Sequence, residues 1–239
     1  MPRRRPWPRP HGQAHGAAAG GGEGEGGEGA ALAEGDAAVA LLTALGLVEG
    51  HLRAGAALYA AGESNLAVTH MKHPGDEIYA DLVPMLEAAG AEGFAPELEA
   101  LAAAVEGRAD PAAVAEAESA VMARIEAARQ AAGATPYQQA RAIEALMRTA
   151  AEEYAIGIVD GAVANLHEYQ DAWGFVQVAK DQVAKLAGTS PEAAAAMEEA
   201  LAPTDAIFPG LVPEGAVEGD AAVLLGAAAR IELAGLQLR

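Results

Sequence analysis

The sequence predicts an all-α protein, a helical bundle of about seven to eight helices behind a disordered N-terminal segment. Three observations carry this expectation. The 239-residue chain is 52% hydrophobic and rich in alanine, the strongest helix former, so it has both a core to bury and a helical bias. Only 4% of its residues are aromatic and runs of β-branched residues are nearly absent, which leaves a sheet little to build with. From Asp36 onward, helix start and stop residues recur at helical spacing.

Residues 1–34 are Gly-, Glu- and His-rich, cannot pack a core, and are expected to be disordered, with His11 and His15 as linker residues or weak metal scavengers. Residues 35–239 are expected to form one helical-bundle domain. Asp36 is placed to N-cap a first helix to about Ala61, with Leu41, Leu45, Val48, Leu52 and Tyr59 along one side and Glu49 and Arg53 as an i,i+4 pair. A second helix begins near Ser64 or Asn65 and is expected to break at Pro74–Gly75, restart at Asp76 and end at Gly90. Pro96 to about Glu106 and Pro111 to about Ala132 read as two more. Thr135 and Pro136 start a long helix, because proline fits the first helical position. That helix is expected to run into Glu152–Val176, unbroken or kinked near Gly157 and Gly161, and on to Leu186. Ser190–Pro191 starts the next, residues 203–219 read as irregular, and a last helix spans roughly Asp220 to Leu238, offering Val223, Leu224, Ile231 and Leu236 for docking.

The formal charge of −19 argues against a nucleic-acid partner, because a phosphate backbone needs basic side chains to replace its counterions. The absence of cysteine excludes disulfides, thiolate metal sites and cysteine catalysis. No run approaches the ~18 consecutive apolar residues of a membrane span, so a soluble chain with no membrane span is expected. The basic, Pro-rich start followed by a His/Gly/Glu-rich segment resembles the region just after an export cleavage site. The chain is therefore expected to be periplasmic or exported if translation begins upstream of Met1, and cytoplasmic otherwise.

Two constellations carry the chemistry. On a helix through Glu152–Val176, Glu153, Asp160, Ala164, His167 and Asp171 would share one stripe on an otherwise apolar surface, with Glu168 beside it. Glu153 and Asp171 would lie about 27 Å apart and cannot share an ion, whereas His167 and Asp171, about 6 Å apart, can. Glu153 and Asp160 are then better explained as structural, held by arginines such as Arg53, Arg141 or Arg230. The second constellation is T-H-M-K-H-P-G-D-E, where helical spacing puts His73 near both His70 and Glu77. Imidazole with carboxylate is a donor set suited to iron, zinc or copper. Met71 would add a soft ligand for copper, and His51 on the first helix, the remaining histidine after residue 34, would complete a site. H-E-x-x-H, G-x-S-x-G, G-x-x-x-x-G-K and E-x-x-H are all absent, which weakens hydrolase, nucleotide-binding and di-iron readings.

The segments RTAAEEYAIGIVDGAVANLHEYQDAWGFV and AAGESNLAVTHMKHPGDEIYADL together resemble the imelysin-like family, which includes the EfeO-type substrate-binding component of periplasmic iron uptake. His167, Asp171, Trp173 and Phe175 stand in the order of that family's late-helix pattern, over about 50 residues in all. The family's H-x-x-E signature is missing, since Asp76 stands three residues after His73. The resemblance implies an exported helical-bundle protein that binds a metal ion or supports its uptake and is not a peptidase.

The leading expectation is a metal-binding protein supporting iron or copper uptake or handling, its divalent or trivalent ion (iron, copper or zinc) held by residues drawn from His51, His70, His73, Glu77, His167 and Asp171. Its partners are the ion and a membrane transport component. The alternative is a non-catalytic helical scaffold or interaction protein whose histidines are structural, with an enzyme ranked third.

Overall fold

The computed structural model describes residues 35–239. Helix α1 is Ala37–Ala60, and it begins where the Asp36 side chain accepts a hydrogen bond from the Ala38 amide at 2.9 Å. Helix α2 is Ser64–His73 and α3 is Tyr79–Ala89, joined by a π-helical turn at Pro74–Ile78. Helix α4 is Ala95–Glu106 and α5 is Pro111–Ala131. Helix α6 is Pro136–Gly157, entered through a capping box between Thr135 and Gln138. A two-stranded hairpin, β1 (Ile158–Val159) and β2 (Ala162–Val163), leads to α7, Leu166–Leu186. Helix α8 is Pro191–Leu201, followed by a 3-10 turn at Ala202–Ile207, and α9 is Ala221–Gly235, extended by a 3-10 turn at Leu236–Leu238. With α2, the π turn and α3 counted as one rod, the described residues hold eight helices, as the sequence predicts.

Helix α1 is enclosed by α2, α3, α5, α6 and α7, and most of its length is buried. Helices α6 to α9 pack on one another through the pairs α6/α7, α6/α9, α7/α8 and α8/α9. One apolar cluster links these two groups of helices, with Leu45, Leu52, Met71, Leu101, Met147, Phe175 and Ile231 among its members. At the crossing of α1 and α7 the backbones touch. A Cβ on Gly174 would lie 2.9 Å from the carbonyl carbon of Gly50 and closer still to its oxygen, so this approach is open only to glycine.

Three expectations are corrected. Glu152–Val176 is not one helix: α6 stops at Gly157, and Asp160 and Gly161 both take left-handed backbone (φ 51° and 75°) in a hairpin turn. Asp-Gly between apolar residues is the sequence of a two-residue hairpin, and here that local preference overrides the helical period around it. The Pro74–Gly75 break does not occur either. Proline lacks the amide a normal turn needs, and the helix continues by widening, the Tyr79 amide reaching back five residues to the Pro74 carbonyl. Residues 203–219 are irregular only after the 3-10 turn that ends at Ile207.

Two helices, Ala37–Ala60 and the stretch Ala221–Leu238, are long and apolar enough to cross a membrane by length and composition. The first is largely buried inside the bundle, whereas the second leaves Leu225, Leu233 and Leu236 exposed. Val223 is partly buried, and Leu224 and Ile231 are the docking residues of α9 that reach the core. His11 and His15 lie outside the described residues.

Candidate metal centre

Three elements bring the histidines together. His51 lies one residue past the Gly50 contact on α1, His70 and His73 end α2 at the π turn, and His167 and Asp171 stand on the first turns of α7. Helix α7 starts where it does because the Asn165 side chain caps it, accepting from the His167 amide at 3.1 Å. The four rings form a closed quadrilateral. Their centroids are 4.4 Å apart for His51 and His73, 6.2 Å for His73 and His167, 4.1 Å for the stacked His167 and His70, and 6.5 Å for His70 and His51. Phe175 closes one side with its ring edge-on to His51.

Asp171 is the hub of this arrangement. Its Oδ1 meets Nδ1 of His51 at 2.6 Å and Nδ1 of His70 at 2.8 Å, and its Oδ2 meets Nδ1 of His167 at 3.2 Å. The fourth histidine has a carboxylate of its own, with Glu77 Oε1 3.5 Å from His73 Nδ1 at the partly exposed rim. Every ring of the cluster therefore presents Nδ1 to a carboxylate. A carboxylate accepts, so Nδ1 of His51 and of His70, both at hydrogen-bonding distance, are donors to Asp171 and orient those two rings, whereas His167 and His73 stand at ion-pair distance from their carboxylates. The buried Nε2 of His167 has no hydrogen-bond partner. The Nε2 of His70 instead faces Gln170 Oε1 at 2.8 Å, and the amide of Gln170 is turned that way because its nitrogen donates to the Leu211 carbonyl at 2.9 Å.

Electrostatics follow from this burial. Burial alone would raise the Asp171 carboxyl, but the charges of His51 and His70 and their hydrogen bonds outweigh it and hold the group well below the usual carboxylate range. Burial lowers the His167 imidazole to about 4, the neighbouring His70, His51 and His73 push the same way, and the Asp171 charge opposes them only in part. At neutral pH His167 is thus an uncharged imidazole with a bare lone pair at Nε2, the form in which histidine binds metals. The sign of the pH effect is set by the lowered value. In the metal-free protein the unfolded chain takes up a proton at His167 below about pH 6.5 that the fold refuses until about pH 4, so stability falls across that window. Urea unfolding at pH 7 and pH 4.5 is expected to show a loss larger by about 2 to 3 kcal/mol than in a His167→Asn variant. Equal losses in the two proteins would mean that His167 titrates normally.

Of the residues expected from the sequence, His51, His70, His73, His167 and Asp171 come together, and Glu77 stands at their edge. Among the described residues, two sets of atoms meet the spacing of a metal site: His51, His70 and Asp171, and His167, Glu168 and Asp171. The stripe on which Asp171 was placed does not exist, because Asp160 sits exposed in the hairpin turn and Ala164 follows it outside any helix. Glu153 is buried near the end of α6. Arg53 pairs with Glu49 and Asp181, Arg141 with Glu144, and Arg230 with the carbonyls of Gly226 and Ala200. Met71 is a core residue packed against Gly55. Gln170 was not legible as part of the site. Its only sequence signal is its place between His167 and Asp171, three residues after one and one before the other.

Helices α6 to α9, the part that supplies His167, Gln170 and Asp171, have counterparts elsewhere. Residues 130–233 match the iron permease-associated 4-helix bundle domain. This relates the second half of the chain to iron uptake and to a membrane transport component. His51, His70 and His73 lie outside the matched residues, so the quadrilateral forms only where α1 and α2 dock on the matched bundle. No curated protein and no solved structure matches the chain.

Proposed function

We propose that this chain is a metal-binding protein that holds a transition-metal ion at the histidine quadrilateral and serves iron uptake beside a membrane permease. The observation that carries the reading is the orientation of the rings. Two histidines, His51 and His70, have Nδ1 hydrogen-bonded to Asp171, and His167 and His73 have Nδ1 within ion-pair distance of Asp171 and Glu77, an arrangement of the kind by which proteins orient imidazoles whose Nε2 atoms bind a metal. His51, His73 and His167 would supply the first nitrogens. His70 would join once Gln170 releases its Nε2, while Asp171 and Glu77 act mainly by orienting the rings. An all-imidazole set suits iron(II), copper(II) and zinc(II) alike, and affinity alone follows the general order in which copper exceeds iron. The choice of iron as the physiological cargo rests on the iron permease-associated match. The likeness to the imelysin-like family adds the same class of cargo, with an exported location.

Calorimetric titration of the full chain with zinc(II), copper(II) and, without oxygen, iron(II) tests the proposal. One ion per chain is expected with Kd well below about 100 μM, and a His73→Ala/His167→Ala variant should lose at least about a hundredfold. If the histidines are only structural, the native protein shows no binding tighter than that limit, or the double variant binds as well as the native chain.

A further inference from the structure

Gln170 ties the metal centre to a stretch of chain at the surface. Residues 207–212, at the end of the 3-10 turn, are held against α6 and α7 by three backbone carbonyls, each accepting from a side chain. Tyr154 donates its hydroxyl to the Ile207 carbonyl at 3.2 Å, Tyr169 donates to Gly210 at 2.8 Å, and Gln170 donates its Nε2 to Leu211 at 2.9 Å. The Phe208 ring sits against those of Tyr154 and Tyr169, with centroids 5.4 Å away in both cases. Phe208 and Leu211 are half-buried, Pro209 and Gly210 are exposed, and Val212 is 46% exposed.

Gln170 differs from the two tyrosines in having a second bond, from His70 Nε2 to its Oε1 at 2.8 Å, and it is wholly buried. A metal ion on His70 Nε2 would stand about 2.0 to 2.1 Å from that nitrogen, in the same in-plane direction as the hydrogen bond. The ion would overlap Gln170 Oε1, so the amide has to turn aside before His70 becomes a ligand. The oxygen and nitrogen of that amide belong to one planar group. When Oε1 leaves His70, Nε2 swings away from the Leu211 carbonyl with it.

We propose that Gln170 is a latch: His70 enters the metal's coordination shell only as residues 207–212 let go of α7. The empty site and the closed segment stabilise each other, and by linkage whatever loosens the segment tightens the metal. The loaded protein therefore presents a different surface around Phe208, Leu211 and Val212, a difference that a partner taking the ion can read. The latch rests on the metal reading proposed above but fails separately from it. If zinc binds through His51, His73 and His167 alone, the metal reading stands and the latch does not.

The test is titration of the full, isotope-labelled chain with zinc(II), followed by calorimetry and by two-dimensional NMR. In the native protein the amide signals of Gly210, Leu211 and Val212 are expected to move in step with zinc binding. In Gln170→Leu the latch is gone from the start, so zinc should bind at least about fivefold tighter, because loading no longer breaks the two hydrogen bonds of Gln170. The same amide signals should begin away from their native metal-free positions and move little on titration. Tyr169→Phe removes another anchor of the segment without touching His70, and should tighten zinc at least about twofold through the segment alone. If Gln170→Leu does not fold, Tyr169→Phe decides. Zinc affinity unchanged or weakened in these variants overturns the proposal, as do unmoved signals at residues 210–212 in native protein that has bound zinc. No zinc binding by the native chain sinks the metal reading and the latch together.

Discussion

Replacing Asp171 by asparagine is expected to destabilise the metal-free protein by about 3 kcal/mol and to weaken zinc(II) binding at least about a hundredfold. The carboxylate is 1% exposed and meets three imidazole nitrogens, so the substitution removes a buried charge on which His51, His70 and His167 all depend. An amide oxygen can still accept from His51 and His70. The amide nitrogen, however, would face His167 Nδ1, donor against donor, unless that ring changes tautomer. Removing one member of a buried charged network costs several kcal/mol because its partners are left uncompensated. The loss of affinity comes by a different route, since groups that orient metal-binding histidines are worth about ten- to a hundredfold each and this one serves three rings. Urea unfolding of the metal-free variant and zinc calorimetry separate the two effects. A variant as stable as the native chain would show that Asp171 is not the hub the geometry makes it.

Gly174→Ala is expected to cost about 3 kcal/mol or more and to abolish metal binding without touching a histidine. The new methyl would overlap the carbonyl of Gly50, and backbone on backbone leaves no flexible side chain to move aside. The two helices must separate there, and His51, next to Gly50, moves away from Asp171, one turn before Gly174. Gly226→Ala is the control. Gly226 lies inside α9 with open space around its Cβ position, so alanine there should stabilise by about 0.5 to 1 kcal/mol through helix propensity alone. Thermal melts of both variants with zinc titration of the first are sufficient. Full zinc affinity in Gly174→Ala would mean that the cluster tolerates separation of α1 from α7.

Much of the helical framework was legible because its signals are local. Asp36 caps α1, Thr135 and Gln138 close a capping box at the start of α6, Gly90 ends α3 in left-handed backbone, and Ser190 stands at the N-cap of α8 with Pro191 as its first residue. The errors were also local, where two signals competed. In Glu152–Val176 the apolar period points to one helix, but the turn preference of Asp160–Gly161 is the stronger. At Pro74–Gly75 the sequence signals a break, but the helix absorbs the missing amide by widening into a π turn.

By itself the sequence determined which side chains were available: four histidines and Asp171 among apolar helices, no cysteine, and a charge that argues against a nucleic-acid partner. It also set His167 and Asp171 one helical turn apart, because that spacing is local. That His51 and His70 lie against Asp171 across separations of 120 and 101 residues was decided only by the tertiary structure. The physical reason is the glycine contact between α1 and α7, which depends on both helices at once and leaves no periodic trace in either. The same holds for Gln170, oriented by a carbonyl 41 residues away.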